Sequence, residues 1–356
     1  MASVEKRGMP ALMHQHVQEL FDGPVDIVGD IHGEITALDA LLERLGYTPD
    51  GRHPRGCRLV FLGDLVDRGA DSPAVVERVA DMVEAGRAHC VLGNHELNLL
   101  REAPKEGNGW FWPAESDHDI ANGKFKESAR ATDSQRRHFL RWFDTLPVAL
   151  ERADLRVVHA CWHDDAIRRL RRSTLPPSRA YGAFNDELAE MIQGSDMHEQ
   201  CAGELAEWGD RLADPGAEMP LLPGLAAINS LLQSSHPLRA ATSGLERPAP
   251  TPFYIAGKWR MSGRVAWWDE YDDAPAVVFG HYWRWPLSPG EVAARWRGPK
   301  LFGDTGPFEW LGPRKNAMCI DWCVGTRWKE RLEGARRFEG KLGALRWPSR
   351  EIVLDS

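Results

Sequence analysis

The chain has 356 residues, of which 43 % are hydrophobic, and it carries a formal net charge of −8. This length and apolar content allow one large core, or one domain with a substantial insertion. The acidic balance argues against a general nucleic-acid-binding protein, because such proteins neutralise phosphates with a basic surface. The sequence has neither an apolar run of about 18 residues to span a bilayer nor the start of a signal peptide, so we expect a cytoplasmic protein without a membrane partner.

Three short polar motifs in the first hundred residues each follow an apolar segment that is typical of a buried strand. The motifs are GDIHG at 29–33, GDLVDRG at 63–69 and GNHE at 93–96. Their spacing corresponds to one strand-helix-strand unit, which predicts a mainly parallel sheet. Because parallel strands end at the same edge of a sheet, we expect the polar residues of the motifs to lie together there.

Helix signals lie between these motifs. Apolar residues recur at steps of three and four from Ile35 to Leu45, and Gly46 is placed to cap that helix. Ser72 is predicted to cap the next helix, with Pro73 at its first position. Residues 101–126 are expected to form a long loop near the site.

The second half of the chain divides into an insert and a return to the core. The segments LPVAL and LRVVHA, the latter containing His159, predict a hairpin, and the core resumes with AVVFGH, AMCIDW and a closing hairpin of LGALRW and EIVL. Between them, residues 162–250 carry an arginine cluster, acidic helical stretches and a tail rich in Pro, Gly and Ser from Asp214 to Pro252. We predict a single domain over residues 1–356, with its core at 25–161 and 251–356 and an inserted cap or lid at 162–250.

The motif residues are suited to binding metal ions. Carboxylate and amide oxygens combined with imidazole nitrogens favour Mn²⁺, Fe or Zn²⁺. These ligands are too many for one tetrahedral ion and about right for two. Asp64 could bridge both ions and hold them about 3.5–4 Å apart, with a bridging water as the nucleophile for in-line attack on phosphorus.

Two further motif residues fit the handling of phosphate. Arg68 lies next to the predicted bridge, and its planar guanidinium can donate to two phosphoryl oxygens at once. A histidine that binds no metal and is held by a carboxylate can protonate the leaving oxygen. His95 fits that function, with Asp67 or Glu96 as its carboxylate partner.

The strings GDIHG, GDLVDRG, GNHE, VVHA and FGH resemble the calcineurin-like metallophosphoesterases. The resemblance is to the branch that contains the phosphoprotein phosphatases and the symmetrical diadenosine tetraphosphatases, in its bacterial form. It implies an α/β (α+β) fold in which two mixed β-sheets pack as a sandwich flanked by helices. It also implies two divalent metal ions, most often Mn²⁺, with Fe or Zn²⁺ as alternatives.

The resemblance assigns roles to individual residues. The first metal would be held by Asp30, His32 and Asp64, and the second by Asp64, Asn94, His159 and His281. Asp67 and His95 would form the proton-donor pair, and Arg68 would bind phosphate.

Different motifs favour different substrates. Asp67 within GDLVDRG is typical of the protein phosphatases, whereas VLGNHELNLL, FLRWFDTLPVAL and GKLGALRW are closer to the bacterial diadenosine tetraphosphatases. Our main hypothesis is a phosphoesterase that hydrolyses phosphomonoesters, similar to the serine/threonine protein phosphatases. The alternatives are hydrolysis of dinucleoside polyphosphates and a catalytically inactive binding homologue. The expected partner is a phosphorylated substrate: a phosphoprotein, a small phosphomonoester or a nucleotide.

Two features outside the motifs bear on substrate binding. Arg260 and Arg264 either add a second phosphate clamp to Arg68 and Asn94 or are exposed positions of a hairpin strand. Several tryptophans around FGH at 279–281 could stack on a purine, although packing in the core or the lid is the interpretation we favour. These are Trp259, Trp267, Trp268, Trp283 and Trp285.

Overall fold

The computed structural model describes residues 13–113, 123–125, 128–255, 257–295 and 300–356. The strands, in chain order, are β1 Val17–Glu19, β2 Val25–Val28, β3 Arg58–Phe61, β4 Ala88–Cys90, β5 Ala149–Arg152, β6 Leu155–Val158, β7 Glu246–Ile255, β8 Lys258–Arg264, β9 Ala276–Phe279, β10 Ala317–Cys319, β11 Gly343–Trp347 and β12 Ile352–Leu354. The α-helices are Ile35–Leu45, Ser72–Glu84, Asn94–Leu100, Asp133–Phe143, Asp164–Arg172, Pro177–Ile192, Asp196–Trp208, Pro223–Ser234, Pro237–Ser243, Pro289–Arg295 and Arg327–Leu332. Nine residues of the predicted 101–126 loop, 114–122, and residue 126 lie outside the described part.

Two five-stranded mixed sheets form the core. One has the order β1-β5-β6-β9-β10, and the other has the order β12-β11-β2-β3-β4. Strands β2, β3 and β4 pair in parallel, so the three motifs that follow them meet at one edge, as predicted. The predicted hairpins β5-β6 and β11-β12 are both antiparallel.

Alternation along the strands explains how the sheets pack. Ile27 of β2 is fully buried in a cluster that includes Val157 and Val278 of the other sheet. Its neighbour Val28 points the opposite way and packs with Leu38 of helix Ile35–Leu45. Successive strand residues face opposite sides of a sheet. One face of each sheet therefore packs on the other sheet and the opposite face packs on helices, which is the predicted sandwich.

The predicted cap of helix Ser72–Glu84 is wrong by one residue. Asp71 is the N-cap, and its side chain accepts a hydrogen bond from the backbone N–H of Ala74 at 2.9 Å. The hydroxyl of Ser72 instead accepts from the backbone N–H of Asp67 at 2.9 Å. The start of this helix is thereby tied to the second motif.

The insert is more regular than its composition indicates. The segment from Asp214 to Pro252 contains helices Pro223–Ser234 and Pro237–Ser243 and most of strand β7. Proline is compatible with the first turn of a helix, where its missing N–H would have no partner in any case. Strand β7 pairs with β8 in a separate two-stranded sheet and crosses the expected boundary at 250. None of the described helices is long and apolar enough to cross a membrane.

Candidate metal centre and active site

The backbone is strained where the motifs meet. A positive φ is uncommon for residues other than glycine. It occurs here at His32 (+48°), Asp64 (+47°), Asp67 (+72°), Arg68 (+71°) and His281 (+72°). Each such residue costs about 1–3 kcal/mol and persists only where the surrounding structure holds it in place. The concentration of strain marks this edge of the sheets as a candidate site.

At two positions in the motifs only glycine fits, because another part of the chain lies too close for a side chain. A Cβ atom at Gly93 would lie 2.2 Å from the backbone nitrogen of Asp64. A Cβ atom at Gly280 would lie 2.0 Å from Oδ1 of Asp30. Any side chain at either position would displace a candidate ligand.

Glu96 fastens the second motif to the third. Its buried carboxylate accepts hydrogen bonds from the backbone N–H groups of Gly93 (3.0 Å), Asp64 (2.9 Å) and Leu65 (2.8 Å). Burial, followed by the charge of Asp64, raises the pKa of Glu96 to about 7. Glu96 was one of two carboxylates predicted as a partner for His95, but in the structure its carboxylate binds backbone N–H groups instead.

Asp64 lies at the centre of two groups of ligand atoms. One group is His32, Asp64 and His95, the other is Asp64, His159 and His281, and the atoms of each lie within 4.8 Å of one another. Oδ1 of Asp64 is 3.4 Å from Nε2 of His159, and Oδ2 is 3.9 Å from Nε2 of His32. Two ligands about 2.1 Å from a tetrahedral ion would be roughly 3.4 Å apart. The separations are therefore those of ligands arranged around shared cations.

The charge of Asp64 is stabilised by its neighbours. Burial alone raises the pKa of this carboxyl, but the facing imidazoles of His159 and His95 outweigh burial and hold it well below its usual range. The carboxylate form is the one that binds metal.

Asp30 and Asn94 complete the candidate ligand set. Oδ2 of Asp30 accepts from the backbone N–H of His281 at 3.1 Å, whereas its buried Oδ1 has no hydrogen-bond partner among the described residues. Burial, then the charge of Asp321, raises the pKa of Asp30 well above its usual range. Oδ1 of Asn94 is 3.2 Å from Nε2 of His159.

The histidines are oriented by backbone carbonyls. Nδ1 of His159 is 2.6 Å from the carbonyl oxygen of Leu62, and Nδ1 of His32 is 3.1 Å from that of Val66. Such a bond places the proton on Nδ1 and leaves Nε2 free to act as a ligand. Nε2 of His281 is buried and has no partner in the described part of the chain. Oδ1 of Asp30 and Nε2 of His281 are thus buried without a hydrogen-bond partner among the described residues. Carboxylate oxygens and imidazole nitrogens of this kind are suitable ligands for divalent cations.

Arg68 lies over this centre. Its Nη1 is 2.8 Å from Nε2 of His32, and its Nη2 is 3.3 Å from Nε2 of His95. Its guanidinium carbon lies 4.9 Å from the centroid of the Trp283 ring. The guanidinium occupies a position that a metal ion bound to His32 would share, so it must turn outward when that nitrogen binds an ion.

Asp67 is the carboxylate partner of His95. Its Oδ2 lies 2.5 Å from Nδ1 of His95, and its Oδ1 accepts from the indole N–H of Trp110 at 2.5 Å. Burial lowers the pKa of His95, but Asp64 and the hydrogen bond to Asp67 outweigh burial and raise it. Sequence reasoning missed Trp110. The one property that could have indicated this contact is that a buried indole N–H needs a hydrogen-bond acceptor.

Among the described residues, neither Arg260 nor Arg264 forms a hydrogen bond with a candidate metal ligand. Both lie on β8 and line a cavity of about 580 Å³ that also includes Arg68. Arg264 lies 5.6 Å from the centroid of the Tyr282 ring. Trp267 and Trp268 are buried in the core, as expected for packing, whereas Trp283 and Trp285 line the cavity.

Comparisons with known proteins agree with this geometry. Residues 23–194 match the family model of the calcineurin-like phosphoesterases. The bis(5′-nucleosyl)-tetraphosphatase PrpE [asymmetrical] of Geobacillus thermodenitrificans is 33 % identical over 154 residues, which cover 41 % of this chain and 60 % of that protein. The symmetrical bis(5′-nucleosyl)-tetraphosphatase of Ralstonia nicotianae is 41 % identical over 80 residues, which cover 22 % of this chain and 25 % of that protein.

Among solved structures, a cold-active protein-tyrosine phosphatase of a psychrophilic Shewanella species aligns with a TM-score of 0.45 and 14 % identity, over 97 % of this chain and 83 % of that one. The chain spans less than two thirds of the length of the curated relatives named above. The matched segment, residues 23–194, contains the first three motifs and His159, so this part of the chain is similar to the calcineurin-like phosphoesterases.

Proposed function

We propose that this protein is a metal-dependent phosphohydrolase that breaks a P–O bond of a phosphate ester or anhydride. The observation that carries the proposal is the position of Asp64, which is shared by two groups of ligand atoms beside Arg68 and an aspartate-paired histidine.

Asp30, His32 and Asp64 are proposed to hold one divalent cation, and Asp64, Asn94, His159 and His281 to hold a second. Mn²⁺ is the first candidate, with Fe or Zn²⁺ as alternatives. Cations bound there would neutralise phosphoryl oxygens and lower the pKa of a water molecule.

The remaining residues are proposed to act on the substrate itself. Arg68, turned away from His32, donates from its two Nη atoms to phosphoryl oxygens and stabilises the charge that develops on them. His95 donates the proton on Nε2 to the departing oxygen. Asp67 stabilises the imidazolium through Nδ1, and the indole of Trp110 fixes Asp67 in that position.

Dinucleoside polyphosphates are the first candidate substrate, because the names of the two relatives above state activity on bis(5′-nucleosyl) tetraphosphates. Phosphomonoesters are the second candidate, and the Asp67–His95 pair favours them. An alkoxide is a poor leaving group, so a phosphomonoester depends more on a proton donor than an anhydride does.

The test is turnover by purified protein that has been stripped of metal and reloaded with Mn²⁺, Fe²⁺ or Zn²⁺. Diadenosine tetraphosphate and a phosphoserine peptide are offered separately, and the products are separated by chromatography. We expect hydrolysis of diadenosine tetraphosphate, with the peptide the poorer substrate. The opposite ranking would favour the phosphomonoesterase. No turnover with any of the metals would contradict the proposal and support the inactive binding homologue.

A further inference from the structure

The cavity beside Arg68 lies between the β7-β8 hairpin on one side and residues 282–293 and 300–307 on the other. Its volume of about 580 Å³ is within the range of small-molecule sites, roughly 300–1,000 Å³. Its walls combine aromatic rings with cationic side chains. The lining residues used below are Phe253, Arg260, Arg264, Arg284, Trp285 and Phe302.

Aromatic rings stand on both walls. Phe253 comes from β7, and Trp285 and Phe302 come from the opposite segment. Phe302 is held in place by Trp268, whose ring stacks on it at 4.9 Å and 6°. Trp268 itself is 1 % exposed and belongs to the core. One aromatic wall is therefore rigid, and the other is carried by a hairpin.

The two arginines of β8 that line the cavity, Arg260 and Arg264, form no ion pair with any described carboxylate. By contrast, Arg247 on the same hairpin pairs with Glu270 at 3.0 Å. Arg284 is 2 % exposed and donates to the carbonyl oxygens of Gly306 and Glu309, but its buried Nε has no partner in the described part of the chain. An uncompensated buried guanidinium is costly unless an anion lies nearby.

A carboxylate also lines the cavity. Oε2 of Glu246 accepts from the hydroxyl of Ser262 at 2.6 Å, which fixes the group as an acceptor at the wall. An anionic ligand with an exocyclic amine would match this acceptor as well as the cations. A phosphate alone would match only the cations.

We propose that the cavity binds the nucleoside end of a nucleotide substrate, an inference that rests on the proposed phosphohydrolase function. The base stacks between Phe253 and the rings of Trp285 and Phe302. The phosphates next to it contact Arg260 and Arg264 and lead to Arg68, which lines the same cavity and reaches His95. Phe253 and the two arginines are thus specificity residues, separate from the metal ligands.

The test measures binding rather than turnover. The full chain loaded with Mn²⁺ is titrated calorimetrically with α,β-methylene-ADP and with methylenediphosphonate, which has the same P–C–P group without a nucleoside. Stacking on an aromatic side chain changes affinity about tenfold or more per base. We therefore expect the nucleotide to bind at least tenfold more tightly, Phe253→Ala to remove most of that difference, and Arg260→Ala with Arg264→Ala to weaken both ligands and reduce the salt dependence.

Tyr254→Ala is the matched control. Tyr254 is the next residue of the same strand, but it turns away from the cavity and its hydroxyl donates to the carbonyl oxygen of Ala213 at 3.0 Å. This variant should keep the full difference between the ligands. Equal affinity of the wild-type protein for both ligands, or a difference that survives in Phe253→Ala, would overturn the inference. Because no turnover is needed, an inactive protein would refute the proposed function and leave this measurement decisive.

Discussion

The two sides of Arg68 are built differently. On one side lies the metal edge, formed by the motif residues at the ends of β2, β3 and β4 together with His159 and His281. Asp64 at its centre is 2 % exposed and has a positive φ. On the other side lies the cavity, where Trp283 is 37 % exposed and the hairpin is a separate two-stranded sheet. The rigid edge is therefore suited to fix the chemistry, whereas the open hairpin is suited to select the substrate.

If this division holds, changes at the metal edge should reduce turnover for every substrate. Changes in the cavity should alter affinity and substrate preference. The variants below separate these outcomes, beginning with the largest expected effect.

Asp64→Asn should have the largest effect. Asparagine keeps the size of the side chain and tolerates the left-handed backbone, but it removes the charge shared by both ligand groups. We expect turnover of every substrate to fall on the order of 10³-fold or more, as for the loss of a central electrostatic contact, and bound metal to fall below two ions per chain. Metal content by plasma mass spectrometry and kcat measure the two effects. Asp39→Asn is the control, since Asp39 lies in an exposed ion pair with Arg78.

His95→Gln should lower turnover without removing metal. Loss of a general acid reduces kcat about 10²- to 10⁴-fold, and the reduction should be far smaller for an aryl phosphate, whose leaving oxygen needs no proton. Nε2 of His95 lies 3.8 Å from Oδ2 of Asp64, close enough for it to serve as a ligand instead. Metal content decides between these roles: loss of one ion per chain would make His95 a ligand and refute the proton-donor assignment.

The placement of most candidate ligands could be predicted from the sequence because they follow strands that end at one edge. The ends of parallel strands meet whatever the intervening helices do, so Asp30, Asp64 and Asn94 are brought together by topology alone. His281 follows β9, which is parallel to its neighbours β6 and β10. The sandwich of two mixed sheets was implied by the family resemblance, whereas the strand spacing alone predicted a mainly parallel sheet.

The cavity could not be predicted in this way. Its walls come from strands β7 and β8 and from residues 282–293 and 300–307, which share no periodic pattern. Likewise, the contact of Trp110 with Asp67 joins positions 43 residues apart, with helices Ser72–Glu84 and Asn94–Leu100 and strand β4 between them. Which of two neighbouring polar residues caps a helix, Asp71 or Ser72, depends on local backbone geometry that composition does not determine.

Asp67→Asn should change the pH dependence of turnover more than the turnover itself. The pKa of His95 is raised, in part by its hydrogen bond to Asp67, and a proton donor is active only while protonated. The rate therefore falls as pH rises through this pKa. Without the Asp67 charge the pKa of His95 decreases, so the alkaline limb of kcat should move to lower pH. An unchanged limb would show that His95 does not donate the proton.

The smallest effect concerns the stability of the segment that supports the cavity hairpin. His236 begins the helix that precedes β7. It is fully buried, its Nδ1 accepts from the backbone N–H of Arg239 at 3.3 Å, and burial, then the charge of Arg239, lowers its pKa to about 3. In the unfolded chain the same imidazole takes up a proton below about pH 6.5, so stability is lost as pH falls from that value toward 3.

When pH falls from 7.5 to 5.5, protonation of this histidine in the unfolded chain should lower the free energy of unfolding by about 1.4 kcal/mol. Urea unfolding should therefore show a smaller decrease for His236→Gln than for the wild-type protein, even though the variant starts less stable. His198→Gln, at an exposed position of helix Asp196–Trp208, should behave as the wild type. If His236→Gln loses as much stability as the wild type, the acid sensitivity lies in other groups, such as His16, whose pKa burial also lowers to about 3.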